Sequence, residues 1–286
     1  MASNTFPVNE VRCLMDIPKI IPLIGFLGGE AGKEIAKSIR MDYKDIPALQ
    51  IGKYSNGVVM GSNPFWVSAV QDKLPSGIRV ASQADLEKAM RVNALDFNGT
   101  YEDTGLVLRT TGNPNFYLSC KLFSQINTRF GKRKRIPAMI PFFGTALERD
   151  QDSPEGLSFK LKEDAEAIYA PILNKPSGPF SSGDINPKTG LPKRLNNGDR
   201  KVYTINSGLS RLFLYRYLDL YSNYVSLAYS NDTGRVVLVS TAEGSSQEYF
   251  QEYAQRKHEE LRRERDAQIE PINKRYAIAE KILKGN

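Results

Sequence analysis

The spacing of hydrophobic and polar positions changes several times along this chain. Ile20, Leu23, Ile24 and Leu27 stand at helical spacing, so residues 9–46 read as partly helical, with Pro18 and Pro22 as breaks. A second helix is expected over residues 31–39, after Gly28-Gly29. Asn63-Pro64 opens a short helix with Phe65, Val67, Val70 and Leu74 as apolar positions, and Pro75-Ser76-Gly77 ends it in a turn. Residues 78–81 form a short strand. Ser82 caps the next helix, with Asp85 as its capping-box partner and Leu86, Ala89 and Met90 on the inner face.

Beyond Tyr101 the period shortens. Residues 105–109, 116–123, 138–143 and 168–173 read as strands, and the Pro-, Gly-, Ser- and Asn-rich stretch 174–197 as loop. Residues 245–283 return to a helical pattern. Ser245 and Glu248 make a capping box, the middle over 255–266 is almost wholly charged, and Pro271 breaks or kinks it. Its apolar heptads are too few for a coiled coil, so a solvated helix is expected, with self-association through the terminal helices left open.

The most regular pattern lies in residues 208–240. Leu212, Leu214, Leu218 and Leu220 alternate with Phe213, Tyr215, Tyr217, Asp219 and Tyr221, and only Arg216 interrupts the aliphatic set. That is the period of a half-buried strand, with leucines inward and aromatics outward. Six of the fourteen tyrosines fall between Tyr203 and Tyr229, an excess over an even spread. Large exposed aromatics in one patch imply a binding surface.

Composition narrows the function classes. A hydrophobic fraction of 41% and a charged fraction of 25% over 286 residues suit one sizeable core with appendages. No apolar run approaches the roughly 20 residues of a membrane span, and no signal peptide is evident at Met1. A cytoplasmic or virion-associated protein is therefore expected. The net charge of +7 owes much to residues 132–135 and allows weak attraction to acidic surfaces without fixing a function. Cys13, Cys120 and the single histidine, His258, cannot make a structural zinc site, and both cysteines are expected as reduced thiols.

Catalytic motifs are wanting. Residues 28–34 superficially resemble a phosphate loop, but Leu27 stands where its first glycine belongs and Glu34 where its Ser or Thr belongs. Residues 184–190 resemble a calcium loop only loosely, because Lys188 occupies a ligand position, and a plain turn is expected. No serine elbow, Cys–His pair or histidine cluster occurs. The expectation is a protein that is not an enzyme and needs no cofactor or metal.

Two segments carry a family resemblance. Residues 79–91 resemble the strand–turn–helix signature R-L-P-T-E-A-E-W-E-x-A-A-R of the formylglycine-generating-enzyme branch of the C-type lectin fold. Arg79, Ala84, Glu87, Ala89 and Arg91 match outright, Ser82 and Asp85 are close replacements, and Val80-Ala81 and Leu86 depart from it. Residues 208–240 resemble the variable region of proteins diversified by a retroelement, in which adenine-templated mutagenesis turns AAY codons into NNY. The variable positions would be Phe213, Tyr215, Tyr217, Asp219, Tyr221, Asn223, Tyr224, Val225, Ser226, Tyr229, Asn231, Asp232 and Thr233, and NNY can encode every one. Leu212, Leu214, Arg216, Leu218, Leu220, Ser222, Leu227, Ala228, Ser230 and Gly234 to Val239 would form the fixed frame. The closing Gly-Arg-Val-Val is similar to the last core strand of this lectin fold.

The resemblance implies an α+β, C-type lectin-like domain over residues 55–245. A helical segment over 1–54 would precede it and a helix over 246–286 would follow. It further implies a ligand-binding variable protein whose Tyr-rich surface contacts a protein target; the aromatics with Asp219 and Asp232 in this patch point to a target with an apolar pocket and a basic rim. The branch's catalytic cysteine pair has no counterpart, so its activity does not carry over with the fold. The alternatives left open are a basic nucleic-acid-binding protein and a structural virion or tail component. Nucleic acid is not the expected partner, because the basic run lies far in sequence from the tyrosines.

Overall fold

The computed structural model describes residues 24–131 and 136–240, together with eight helical positions between 262 and 275. The elements run β1 (Ile24–Phe26), α1 (Gly29–Asp42), β2 (Lys53–Ser55), β3 (Val58–Met60), α2 (Pro64–Lys73), β4 (Ile78–Val80), α3 (Gln83–Arg91) and β5 (Tyr101–Leu108). They continue with α4 (Phe116–Phe130), β6 (Ala138–Pro141), β7 (Thr145–Arg149), β8 (Leu157–Leu161), β9 (Ile168–Tyr169), β10 (Gly178–Phe180) and β11 (Arg200–Thr204). The last four strands are β12 (Leu209–Leu214), β13 (Leu220–Ser222), β14 (Gly234–Arg235) and β15 (Val237–Ser240). The architecture is α+β. Residues up to Thr241 form one compact unit and residues 242–286 another. In the second unit the described positions, among them Arg262, Asp266, Ile269 and Pro271, are helical and exposed. Cys13, His258, the basic run 132–135 and the 245/248 capping box lie outside the described residues.

The main sheet has the order β10-β11-β13-β12-β5-β14-β3-β2, with β6 against β5 and β9 beyond it. A three-stranded sheet, β1-β15-β4, and the hairpin β7–β8 complete the framework. The helical expectation around Ile24 gives way to a strand, because Ile24, Gly25 and Phe26 pair antiparallel with Val239, Leu238 and Val237. Tertiary pairing outweighs a local spacing that suits either element. The strand expected over 116–123 is instead the first half of α4. Leu118, Leu122 and Ile126, four residues apart, are its buried apolar positions, with Ser119 beside them.

Helix α2 is buried on nearly every side, with Phe65, Trp66, Val67 and Val70 all inaccessible. Its cap, Asn63, accepts the Trp66 backbone N–H at 2.8 Å, and Pro64 supplies the favoured first-turn residue. Ser82 and Asp85 form the complete capping box expected of α3. Gly28 and Gly29 at the start of α1 permit close packing. A Cβ on Gly28 would stand 2.3 Å from the Gly57 carbonyl oxygen, and that carbonyl accepts the Gly29 N–H at 2.9 Å. The 184–190 segment is a turn, with Asn186 Oδ1 accepting the Lys188 N–H at 2.9 Å.

One face of the main sheet packs into the core through Val107, Leu212, Leu214, Leu220 and Val202, joined by Leu86 of α3 and by Phe180. A buried polar chain locks α3 to the sheet. Thr104 donates to Gln83, Gln83 donates to Glu87, and Arg200 holds Glu87 through two bonds of 2.8 Å. Arg79 pairs with Asp85 at 2.7 Å, and this pair keeps the Asp85 carboxyl below its ordinary range against the opposing effect of burial. Four residues of the 79–91 motif (Arg79, Ser82, Asp85 and Glu87) are thus tied by hydrogen bonds.

Candidate functional site

The opposite face of the main sheet carries the aromatic segment, although not as one long strand. Residues 209–222 form a hairpin in which Leu214 pairs with Leu220 and Phe213 with Tyr221. The turn is closed by Leu218 N–H donating to the Tyr215 carbonyl at 2.6 Å and Tyr215 N–H donating to the Asp219 carbonyl at 2.9 Å. Leu218 sits at φ +65, a left-handed conformation unusual for leucine. Period-two alternation misleads here because a hairpin also keeps leucines on one face along each arm. After Ser222 the chain runs as an irregular loop to Gly234.

Eight rings form a connected network on this face. Tyr203, Tyr221 and Tyr215 make a column, with centroid spacings of 4.4 Å and 4.9 Å. Phe213 stacks on Tyr221 at 5.2 Å and meets Tyr101, Tyr215 and Tyr224 edge-on. Tyr217 joins through Tyr215, and Tyr229 through Tyr224. Burial together with the neighbouring phenols and Asp219 pushes the Tyr221 hydroxyl up to about 12, so this ring stays neutral at physiological pH.

Arg211 lies beneath these rings. Its guanidinium is buried 5.0 Å from the Phe213 centroid, 5.2 Å from Tyr101 and 5.9 Å from Tyr224. It forms a two-bond pair with Asp103, which also accepts from Ser62 Oγ at 2.7 Å. Burial opposes the Arg211 charge, but Asp103 and the Tyr101 phenol outweigh it and the guanidinium is held more firmly protonated than usual.

The loop over 223–233 is held mainly through its backbone. Asn115 Nδ2 donates to the Val225 carbonyl at 2.6 Å, Asn63 Nδ2 to that of Ala228 at 2.9 Å, and Arg211 to that of Tyr229 at 2.9 Å. The Arg211 backbone N–H reaches the Tyr224 carbonyl, and Tyr101 N–H the Thr233 carbonyl. Ser230 Oγ accepts the Ser62 N–H at 2.9 Å. Gly234 closes the loop where a Cβ would stand 2.6 Å from the Tyr101 ring and from Ser62 N. The anchoring donors Asn63, Tyr101, Asn115 and Arg211 all lie outside the thirteen positions, and carbonyl acceptors exist whatever the side chain.

Burial distinguishes the two sets at their extremes: of the variable positions only Phe213 is buried and of the frame positions only Arg216 is exposed, while four of each are half-buried. Tyr217, Tyr224, Val225, Ser226, Tyr229, Asn231, Asp232 and Thr233 are exposed, and Tyr215, Asp219, Tyr221 and Asn223 are half-buried. Leu212, Leu214, Leu220, Ser222, Leu227, Gly234 and Val236 to Val239 are buried, and Leu218, Ala228, Ser230 and Arg235 are half-buried. Phe213, expected to face outward, is only 6% exposed because it fills the space between Arg211 and Tyr221. Arg216, expected in the frame, is exposed at the hairpin tip. Asp219 Oδ1 accepts the Lys201 N–H at 2.6 Å, and Asn231 Oδ1 caps its own turn by accepting from Thr233. Tyr203 and Lys201 join the surface from outside residues 208–240, and Tyr101 packs beneath it against Phe213. Only the pairing of β11 with β13 brings Tyr203 against Tyr221, a neighbour that no local pattern signals.

Glu102 lies next to Asp103 on β5, opposite Leu214 at the hairpin base. Its Oε1 accepts from Arg235 and Thr100, whereas its Oε2 is buried and has no hydrogen-bond partner among the described residues. Burial outweighs the attraction of Arg235 and pushes this carboxyl up to about 7 from 4.5. Between those values the folded chain holds a proton that the unfolded chain has released. This contribution favours the folded state at low pH and is lost as pH rises towards 7. The thermal midpoint is therefore expected to be higher at pH 5.5 than at pH 8, with a flatter profile for Glu102→Gln. An equal slope in both proteins would remove Glu102 as its source.

Comparison with family models, curated proteins and solved structures yields no match to this chain. Among the described residues no helix is long and apolar enough to cross a membrane.

Proposed function

We propose that this protein is a binding module diversified by a retroelement. It presents residues 213–233 as an exchangeable, Tyr-rich surface to a protein target on a C-type lectin-like scaffold. The observation that carries this reading is the anchoring of the 223–233 loop. Fixed side chains hold its carbonyls, so its exposed side chains can change while the loop keeps its path. Separation of buried frame from exposed positions supports the same reading, and so does the supply of rings. Tyrosine offers a stiff contact surface of about 150–250 Å² with a polar tip, at low entropic cost. Support for the scaffold comes from the hydrogen-bonded roles of Arg79, Ser82, Asp85 and Glu87 and from the buried closing strand β15.

The DNA around the coding sequence tests this directly. A near-copy of the segment encoding residues 209–239 is expected, with adenines at the variable codons and a reverse-transcriptase gene beside it. Absence of the repeat, with codons at these positions that do not end in a pyrimidine, would remove diversification from the reading.

A further inference from the structure

The tyrosine column carries a cation at each end. Lys201 Nζ stands 4.9 Å from the centroid of Tyr203, and the Arg216 guanidinium 4.8 Å from that of Tyr215. The order along the column is therefore Lys201, Tyr203, Tyr221, Tyr215, Arg216. Both cations are exposed, and among the described residues neither has an ion-pair partner. Arg216 takes only the Tyr215 hydroxyl as acceptor, which leaves most of its donors free. Asp219 accepts the Lys201 backbone N–H and its charge still acts on Tyr221 in the column, but it stands at an exchangeable position, whereas the two cations do not. The other acid of the surface, Asp232, follows Tyr229 towards β14. Strands β13, β12 and β5 separate β14 from β11, a span of roughly 19 Å at the usual strand spacing.

Neither cation belongs to the exchangeable set. Lys201 and Tyr203 lie on β11, outside residues 208–240, and Arg216 belongs to the frame of that segment. NNY codons cannot encode lysine, so a lysine at this surface has to come from the scaffold. We infer that the tyrosine column forms a fixed cationic edge of the surface, flanked by Lys201 over Tyr203 at one end and Arg216 over Tyr215 at the other, which seats an acidic segment of the protein partner. The exchangeable positions from Tyr217 to Thr233 then select among acidic partners. This inference rests on the binding-surface reading above, and it reverses the charge expected of the partner's rim.

A protein segment fits this edge better than a nucleic acid. Stacking faces of Tyr221 and Phe213 are already occupied by neighbouring rings, which leaves little room for bases. Two cations at the ends of a column do not follow a phosphate backbone, whereas carboxylates flanking an apolar side chain match a cation, a ring surface and a second cation.

Selection from a displayed library of random twelve-residue peptides on the full chain tests the inference. Three proteins run in parallel: the wild type, a first variant with Lys201→Ser and Arg216→Ser, and a second with Tyr217→Ser, Tyr224→Ser and Tyr229→Ser. Wild-type selections are expected to be enriched in Asp and Glu several-fold over the starting library, and the enrichment is expected to vanish in the first variant. Peptides that depend on the three tyrosines but show no acidic bias, or keep that bias without the two cations, would overturn the inference alone. Failure to recover any tyrosine-dependent peptide would overturn the binding-surface reading and this inference with it. Binding of a single-stranded oligonucleotide that is tighter than the best peptide and falls steeply with salt would also overturn it, in favour of a nucleic-acid partner.

Discussion

Replacing Arg211 by Met is expected to lower the unfolding free energy by about 3–5 kcal/mol, because it leaves Asp103 buried without its countercharge. Asp103 is almost completely buried, and its remaining side-chain partner is the Ser62 hydroxyl. The same change removes the donor to the Tyr229 carbonyl and the cation beneath Phe213, Tyr101 and Tyr224. The loop should therefore lose its fixed path as well as its stability. Urea unfolding reads the first effect and the near-ultraviolet dichroism of the tyrosines reads the second. Adding Asp103→Leu to Arg211→Met should recover part of the stability, since a buried pair replaced by apolar groups avoids the stranded charge. It should not restore the dichroism, because the donor to Tyr229 is still missing. Equal stability in the wild type and Arg211→Met would show that this pair does not organise the surface.

Phe213→Asn is expected to cost about 3–5 kcal/mol, the scale of losing a buried aromatic side chain. Tyr217→Asn and Tyr229→Asn should each stay within about 0.5 kcal/mol, as exposed substitutions do. All three positions carry NNY-compatible residues and read alike in sequence. In the structure Tyr217 is 73% exposed and Tyr229 49%, whereas Phe213 is 6% exposed. Chemical unfolding of the three variants measures the difference. Should Phe213→Asn be as mild as Tyr217→Asn, the ring network would be a loose surface rather than a packed layer. Should it be severe, the proposed exchange would be restricted at this position to large apolar residues and, on that proposal, diversity would reside in Tyr217 and the 223–233 loop.

These expectations turn on contrasts that a linear pattern does not contain. Capping chemistry was readable because it is local. Asn63-Pro64 and Ser82 with Asp85 specify helix starts through groups within three residues of one another. Residues 116–123 were misread because an aromatic-rich run suits a strand until Leu118, Leu122 and Ile126 are seen to share a buried face. Residues 208–222 were misread for a related reason. Alternation gives the side of a sheet on which a residue sits, but not where the chain reverses, and Leu218 at φ +65 carries no local signature such as glycine.

Several helix starts and the alternation of aliphatic with aromatic or polar positions over residues 212–221 were legible in the sequence alone. All of these depend on interactions within a few residues or on side-chain period. Only the tertiary structure decided which aromatic is buried, which cations reach the surface and what holds the loop. Tyr203 meets Tyr221 through a parallel pairing of β11 with β13, and Arg211 meets Asp103 across β12 and β5. Asn63 and Asn115 reach the loop from more than a hundred residues away in sequence. Such contacts follow from strand order and register, which the whole core sets together through burial and backbone pairing.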